Sequence, residues 1–449
     1  MKRKIRLFKI NLRHLKEKML YFIVLVFSVV VVPLLLDNTY YIPLLLVLFI
    51  APFLVLIKGF LKNDIPFLVL ILTIMLTRVT NPENFRFATV AYSLMFILTF
   101  IYYTRLLKET QTKISTFQLF ISRVVVAYAI VLLIQEISTA LHIPVLNVVP
   151  NCVGTFKLNS LSYEPSHTGP ILTILYYGYL KLEELKERKK LNLKDLYNAN
   201  PKLFFSYFYV MLASLSVTCI FAMSIFLLYF VSKKHIIGMS VLIAVGAVVF
   251  FSLETEVGNR ILELGPALKT LDAQALFLVD SSSAARIGPY LVYIQDFKWN
   301  SFNTWFGYGC DYGGLYLIRY LANNESIQEN IGVGGVINFM YDYGLIAFIA
   351  LLYCIHSYCK FRSFNFFLYI TLFSICPINV YMLWLYFIVI ATLNFFYRHK
   401  CSIITNSKFH FREKSKRTRK QKRRIRQILK KSTQQKQESR TDPMIAPQT

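Results

Sequence analysis

The run LFFSYFYVMLASLSVTCIFAMSIFLLYFV, residues 203–231, decides how the chain is threaded. At ~1.5 Å per residue it is too long for one untilted helix across a hydrocarbon core of about 30 Å and short for two complete crossings. A single crossing would carry the following SKKH and the basic C-terminal tail to the outside, against the preference of Lys and Arg for the cytoplasm. Two short crossings that turn near Ser214–Thr218 keep both in the cytoplasm. That choice sets the direction of every later segment.

The rest of the chain has the composition such a reading needs. It has 449 residues, 55% of them hydrophobic, with 38 Phe and only 16% charged, more apolar surface than a soluble core requires. The fold class expected is all-α, a polytopic membrane protein. A net charge of +26 in a soluble chain would point to nucleic acid, but here the Lys and Arg gather in short segments beside apolar runs, as topology signals do. No nucleic-acid partner is expected. The seven cysteines show no CxxC spacing, so neither a zinc site nor a disulfide framework is indicated. Cys152 and Cys310 both fall in expected outer loops, as a pair or as two separate thiols.

Before the deciding run, MKRKIRLFKINLRHLKEK leads into an apolar stretch from Met19 to Leu36 with no small-residue cleavage site after it, an uncleaved first span with a cytoplasmic N-terminus. Further spans are expected at Tyr40–Ile57, Ile65–Leu76, Phe87–Tyr103, Phe117–Ile134 and Pro170–Leu180, with the basic connectors KGFLK, TRLLKETQTK and KLEELKERKK between alternate ones. After it come Ile236–Phe251, Gly334–Tyr353, Phe364–Ile375 and Tyr381–Phe396, about twelve in all. The membrane domain then covers 1–397, and 398–449 is a basic cytoplasmic tail without a clear amphipathic period, suited to touching anionic lipid or a cytoplasmic partner. No internal repeat is visible, which weighs against a transporter built from inverted halves.

One large segment, about 253–332, remains outside the lipid on the extracytoplasmic side. From Glu254 to Glu329 it carries nine Asp and Glu against five Lys and Arg, namely Arg260, Lys269, Arg286, Lys298 and Arg319. With no topology signal to supply there, such an arginine meets either a neighbouring carboxylate or a phosphate. Arg286 stands in SSSAARIGPYLVYIQDFKWNSFNTWFGYGCDYGG, residues 281–314, where aromatics such as Tyr290 and Trp305 suit sugar rings and equally suit packing at an interface. The earlier outer loop adds Arg78 and Arg86.

A second cluster lies in NCVGTFKLNSLSYEPSHTGPILTILYYG, residues 151–178, where Glu164, Ser166 and His167 gather at a helix entrance. Ser166 or Thr168 serves there as a cap, with Pro170 in the first turn. A cap does not account for a carboxylate. Glu164 is a candidate proton acceptor or arginine anchor, and His167 is either a polar interface residue or a base. Arg123, inside the fifth span, is an intramembrane charge that faces the same cavity or snorkels.

Taken in order, YEPSHTG at 163–169, SAARIGPYLVY at 283–293, FGYGCDYGG at 306–314 and NFMYDYGLIAFIALL at 338–352 resemble the O-antigen ligase and polymerase superfamily, specifically Wzy-type capsular or exopolysaccharide polymerases. The resemblance implies a lipid-carrier-type, GT-C-like glycosyltransferase in the bacterial cytoplasmic (inner) membrane, with no metal or other cofactor. It would polymerise undecaprenyl-pyrophosphate-linked oligosaccharide repeats at the outer face, beside the flippase and chain-length regulator of the same pathway. It makes Arg286 the loop arginine that holds pyrophosphate and Glu164 the carboxylate of the EPS element. Apart from the resemblance, charge developing on such a leaving group calls for cations, for which Arg260 or Arg319 and Arg78 or Arg86 are the candidates. One departure bears on the reaction. The family's ligases, and some polymerases, carry a His-Asn pair about a dozen residues before the glycine matching Gly344, whereas ENIGVGGVINFMYDYG, residues 329–344, has no histidine. This disfavours a ligase that passes polymer to a lipid acceptor and leaves the general base unassigned. A polysaccharide or lipid-linked-sugar exporter is the other alternative, and would have charges along a central path and short outer loops.

Overall fold

The computed structural model describes residues 2–30, 41–147, 158–231, 281–313, 335–359 and 376–398 apart from isolated positions, with a few more between them; for 2–13 and 281–287 it describes the backbone alone. Packing divides the chain into two units, Met1–Asn394 and Phe395–Thr449, and the helical bundle belongs to the first. Among the described residues there is helix and no strand. Among the described residues five helices are long and apolar enough to cross a bilayer, and the chain is a helical membrane protein.

The helices are α1 (Lys2–Ser28), α2 (Ile42–Lys58), α3 (Ile65–Thr80), α4 (Phe87–Glu109), α5 (Ile114–Ala140), α6 (Pro165–Glu187), α7 (Leu193–Ala199), α8 (Pro201–Ala213) and α9 (Val217–Leu228). Then come α10 (Ser281–Asp296), α11 (Phe302–Phe306), α12 (Gly335–Cys359) and α13 (Tyr381–Arg398). Their starts reflect local chemistry. Pro43 stands in the first turn of α2 and Pro66 in that of α3, where a missing N–H leaves nothing unpaired. Asn200 accepts from Leu203 N at 3.1 Å to cap α8. The apolar exterior is exposed along whole stripes, as with Phe49, Phe53 and Leu56 on α2, the face a lipid-embedded helix presents.

The deciding run is two helices. α8 and α9 turn at Ser214–Ser216, with Leu215 left-handed at φ 48°, and both pack on α6. Tyr176 of α6 stacks on Tyr207 of α8 at 4.4 Å and lies 5.0 Å from Phe226 of α9. α6 and α9 come so close that a Cβ on Gly169 would stand 2.8 Å from Cys219 Cα. At the far end of the hairpin, Tyr229 donates to the Glu184 carboxylate.

Other boundaries differ from expectation. α6 begins at Pro165 instead of Pro170 and runs on to Glu187, because its charged last turns fold against Gln118 and Tyr229. α4 and α5 likewise extend past their apolar runs. α1 starts far earlier than Met19 and stops at Ser28. Ile236–Phe251 lies outside the described residues, as does half of the Phe364–Ile375 stretch. Arg123 is exposed, and its neighbour Ser122 accepts from Asn200 Nδ2 at the head of α8, so of its two readings the structure favours snorkelling, at the Glu184 end of the bundle.

The antiparallel helices give the bundle two ends. The Glu184 end holds a buried ion pair, Arg105 with Asp64, the guanidinium also donating to Gly59 O at 2.9 Å. The other end holds Glu164 and the turns that pack around it.

Candidate functional site

Glu164 stands on a rigid foundation. The segment 158–162 before it is a buried polar network, not a solvated loop: Asn159, Ser160, Ser162 and Thr168 are all buried. Ser160 N donates to Gln135 Oε1 at 2.8 Å and Ser160 Oγ to Tyr128 O at 2.6 Å, while Asn147 Nδ2 donates to Ser160 O at 2.6 Å. Val30 N reaches Leu161 O at 2.8 Å, so the end of α1 is tied in as well. Buried polar groups stay only when partnered, and here the partners come from three helices.

The helix head itself differs from the expected cap. Glu164 is the residue before α6, with extended backbone, and Pro165 occupies the first turn. Neither Ser166 nor Thr168 caps: Ser166 Oγ donates to Glu164 Oε2 at 3.0 Å, and Thr168 Oγ1 reaches back to Asn159 O at 3.1 Å. The Glu164 side chain is 49% exposed, and its Oε2 lies 3.9 Å from His167 Nε2. His167 Nδ1 in turn lies 3.2 Å from the hydroxyl of Tyr381, the first residue of α13, and its ring stacks on Tyr163. In this first turn, ahead of the apolar run of α6, burial holds the His167 pKa below its ordinary 6.5, against the pull of Glu164. The imidazole is therefore neutral at pH 7 and able to take a proton.

A second group sits on a break in α12. Gly344 has φ 78° and ψ 176° inside that helix, which leaves carbonyls of the preceding turn without helical partners. The turn 307–313 supplies them: Tyr308 N donates to Tyr341 O at 2.7 Å and Gly309 N to Asp342 O at 3.2 Å. The buried Asp342 side chain accepts from Gly313 N at 2.9 Å through Oδ1. The same turn is pinned from the α3–α4 side, where Asn81 Nδ2 donates to Gly307 O at 2.9 Å and Thr89 Oγ1 to Asp311 Oδ2 at 2.6 Å. Cys310 is a buried free thiol 3.7 Å from Thr77 Oγ1, its pKa pushed up to about 11 by burial. Thr89, Asp311, Asn338, Phe339, Asp342 and Asn379 line a narrow cleft with room for about one water molecule. Asn379 precedes Tyr381 by two residues, so the cleft and the Glu164 cluster share the segment 378–381.

The expected site residues fall into three sets. Glu164 and His167 stand together, joined by Tyr381. Arg86 is half-exposed and pairs with Asp311 at 3.5 Å, while Arg78 NH1 lies 3.5 Å from Pro82 O. Tyr290 packs on the small core of Val292, Ile337 and Tyr341, and Trp305 donates to Trp299 O at 2.9 Å. Arg260, Arg319 and Cys152 lie outside the described residues; Arg286 is on α10, and its side chain is also outside them. Tyr381, Asp311, Asp342 and Asn379 were not singled out from the sequence, although Asp342 within an apolar run was a visible signal. Among the described residues no group of three His, Cys, Asp or Glu is placed to hold a metal. Compared with known protein families, with curated proteins and with solved structures, the chain matches none.

Proposed function

We propose that the chain is a polysaccharide polymerase of the bacterial cytoplasmic membrane, with about twelve spans in a GT-C-like arrangement, cytoplasmic termini and the Glu164 end facing outward. It joins undecaprenyl-pyrophosphate-linked repeats without a metal. The observation that supports this reading is a half-exposed carboxylate, Glu164, held on a buried polar base beside a neutral imidazole. In the reaction, a hydroxyl oxygen of the incoming repeat attacks the anomeric carbon of the growing chain. The bond from that carbon to the carrier's pyrophosphate breaks, and the pyrophosphate leaves with the electron pair. The hydroxyl proton passes to the Glu164–His167 pair, whose Oε2 and Nε2 are 3.9 Å apart, and Tyr381 orients the imidazole. Arg286 meets the charge that develops on the leaving group, with Arg260 or Arg319 and Arg78 or Arg86 as further cations.

The test is complementation in cells lacking the native gene. Arg286→Ala lowers the rate on the order of a hundredfold, as loss of one oxyanion donor does. It and Glu164→Gln leave single carrier-linked repeats and no long surface glycan on gels. Normal insertion with full-length polymer from both variants overturns the proposal; long chains retained on the carrier indicate a ligase instead.

A further inference from the structure

We infer that the aromatic segment 294–306 is a membrane seat, its exposed rings lying in the headgroup region of the leaflet at the Glu164 end. The stretch between α10 and the turn 307–313 is crowded with rings. Phe297 meets Trp299 edge-on at 4.8 Å, and Trp299 lies 6.1 Å from Trp305. On α11, Phe302 stacks on Phe306 at 4.5 Å. Trp299 is nonetheless 67% exposed, Phe302 56% and Ile294, in the last turn of α10, 71%. Apolar groups exposed together mark a surface that something else covers.

Position says what covers it. α3, one of the helices able to cross a bilayer, presents Val69, Leu72, Leu76 and Val79 along one exposed stripe, the spacing of a lipid-facing helix. The stripe runs up to Asn81, whose side chain donates at 2.9 Å to the carbonyl of Gly307, the residue that ends α11. α11 itself packs on α3. The ring cluster therefore begins where the lipid-facing stripe stops, at the end of α3 opposite Asp64, and this is the depth at which Trp and Tyr collect in membrane proteins. The polar tips suit it. Trp305 Nε1 already donates to Trp299 O at 2.9 Å, so its ring enters an apolar phase with no unpaired donor, and Lys298, next to Trp299 in the chain, is exposed where an ammonium meets lipid phosphate. A glycan is the weaker occupant. Tyr308, Tyr312 and Tyr316, whose faces would suit sugars, stack on one another at 4.7 and 5.0 Å, and the exposed Phe302 and Ile294 offer no hydrogen bond. Because Trp305 O and Gly307 N pack against Gly344, seating the rings also fixes the depth of the break in α12.

The three tryptophans make the seat measurable. Trp299 and Trp305 belong to the segment and Trp384 is buried in the core, so Trp384→Phe reports the segment alone. The wild type minus a Trp299→Phe/Trp305→Phe double variant reports it with Trp384 in place. Full-length proteins go into liposomes of phosphatidylcholine brominated either near the headgroup or at the chain ends, with iodide admitted to both sides; a helical circular dichroism spectrum like the wild type's qualifies each variant. Bromines near the headgroup lower the segment's emission by about half or more and outdo those at the chain ends, while iodide has little effect. Adding Phe302→Asp weakens the lipid quenching and raises that by iodide, whereas Phe302→Leu changes neither. Iodide quenching without bromolipid quenching puts the segment in water, and if added oligosaccharide then blocks the iodide, the occupant is glycan. Protection from both quenchers puts the segment under protein. Each of these overturns the seat, as does stronger quenching from the chain ends than from the headgroup side.

Discussion

Replacing Gly344 by alanine tests whether the break in α12 and the turn 307–313 form one interlocked unit. Gly344 and Gly307 both adopt backbone angles open almost only to glycine, φ 78° with ψ 176° and φ 80° with ψ 174°, and an L-residue there is strained by about 1–3 kcal/mol. They also face each other. A Cβ on Gly344 would stand 2.5 Å from Gly307 N and from Trp305 C, where ordinary contact begins at 3.4 Å. The obstacle is backbone, so the two segments must part by about 0.9 Å. That lengthens the Tyr308–Tyr341 and Gly309–Asp342 bonds, now 2.7 and 3.2 Å, beyond hydrogen-bonding range, at about 0.5–1.5 kcal/mol each. The total is about 2–6 kcal/mol. Gly59 is the internal control: its φ is 71° and ψ 172°, but a Cβ there meets nothing within 4 Å, so Gly59→Ala registers strain alone. Thermal unfolding in detergent, monitored with a dye that reacts as Cys219, Cys310, Cys354 and Cys376 become exposed, ranks the variants. Gly344→Ala and Gly307→Ala unfold at clearly lower temperature than Gly59→Ala. Equal shifts for all three would refute the interlock.

Three further perturbations have expected outcomes. Asp64→Ala strands the buried Arg105 guanidinium and removes the acceptor of Leu61 N, destabilising by about 3–5 kcal/mol in the same unfolding assay; adding Arg105→Met to it recovers part of the loss. Because His167 has a pKa below 6.5, it is neutral at higher pH and becomes charged as the pH falls, so polymerisation declines on acidification with a midpoint below 6.5, and His167→Gln loses that limb. A midpoint above 6.5 contradicts the assignment. Cys310, with its pKa near 11, resists maleimide at pH 7 in the folded protein and reacts only after denaturation, a difference read by mass spectrometry.

The two helices of residues 203–231, with their turn at Ser214–Ser216, were expected from charge placement, a rule of topology; hydropathy alone does not separate one helix from two. Helix ends were less legible. α6 reaches Glu187 because Glu183 and Glu184 find partners in Gln118 and Tyr229, contacts 65 and 45 residues away in sequence that no local pattern reveals. The same holds for the site. Glu164 and His167 stand three residues apart at a helix head and could be seen together, whereas Tyr381 is brought to them by the fold. Asp342 was passed over because it lies in an apolar run beside more conspicuous aromatics, although its burial beneath Gly313 fixes the floor of the cleft.

The polymerase assignment stands or falls on reconstitution: purified full-length protein in liposomes, supplied with carrier-linked single repeats and no divalent metal, and assayed for both products. The expected result is a ladder of glycan lengths with one carrier pyrophosphate released for each new linkage, and neither product from Glu164→Gln. Unchanged single repeats with the wild-type protein, or a ladder from Glu164→Gln equal to that of the wild type, would contradict it.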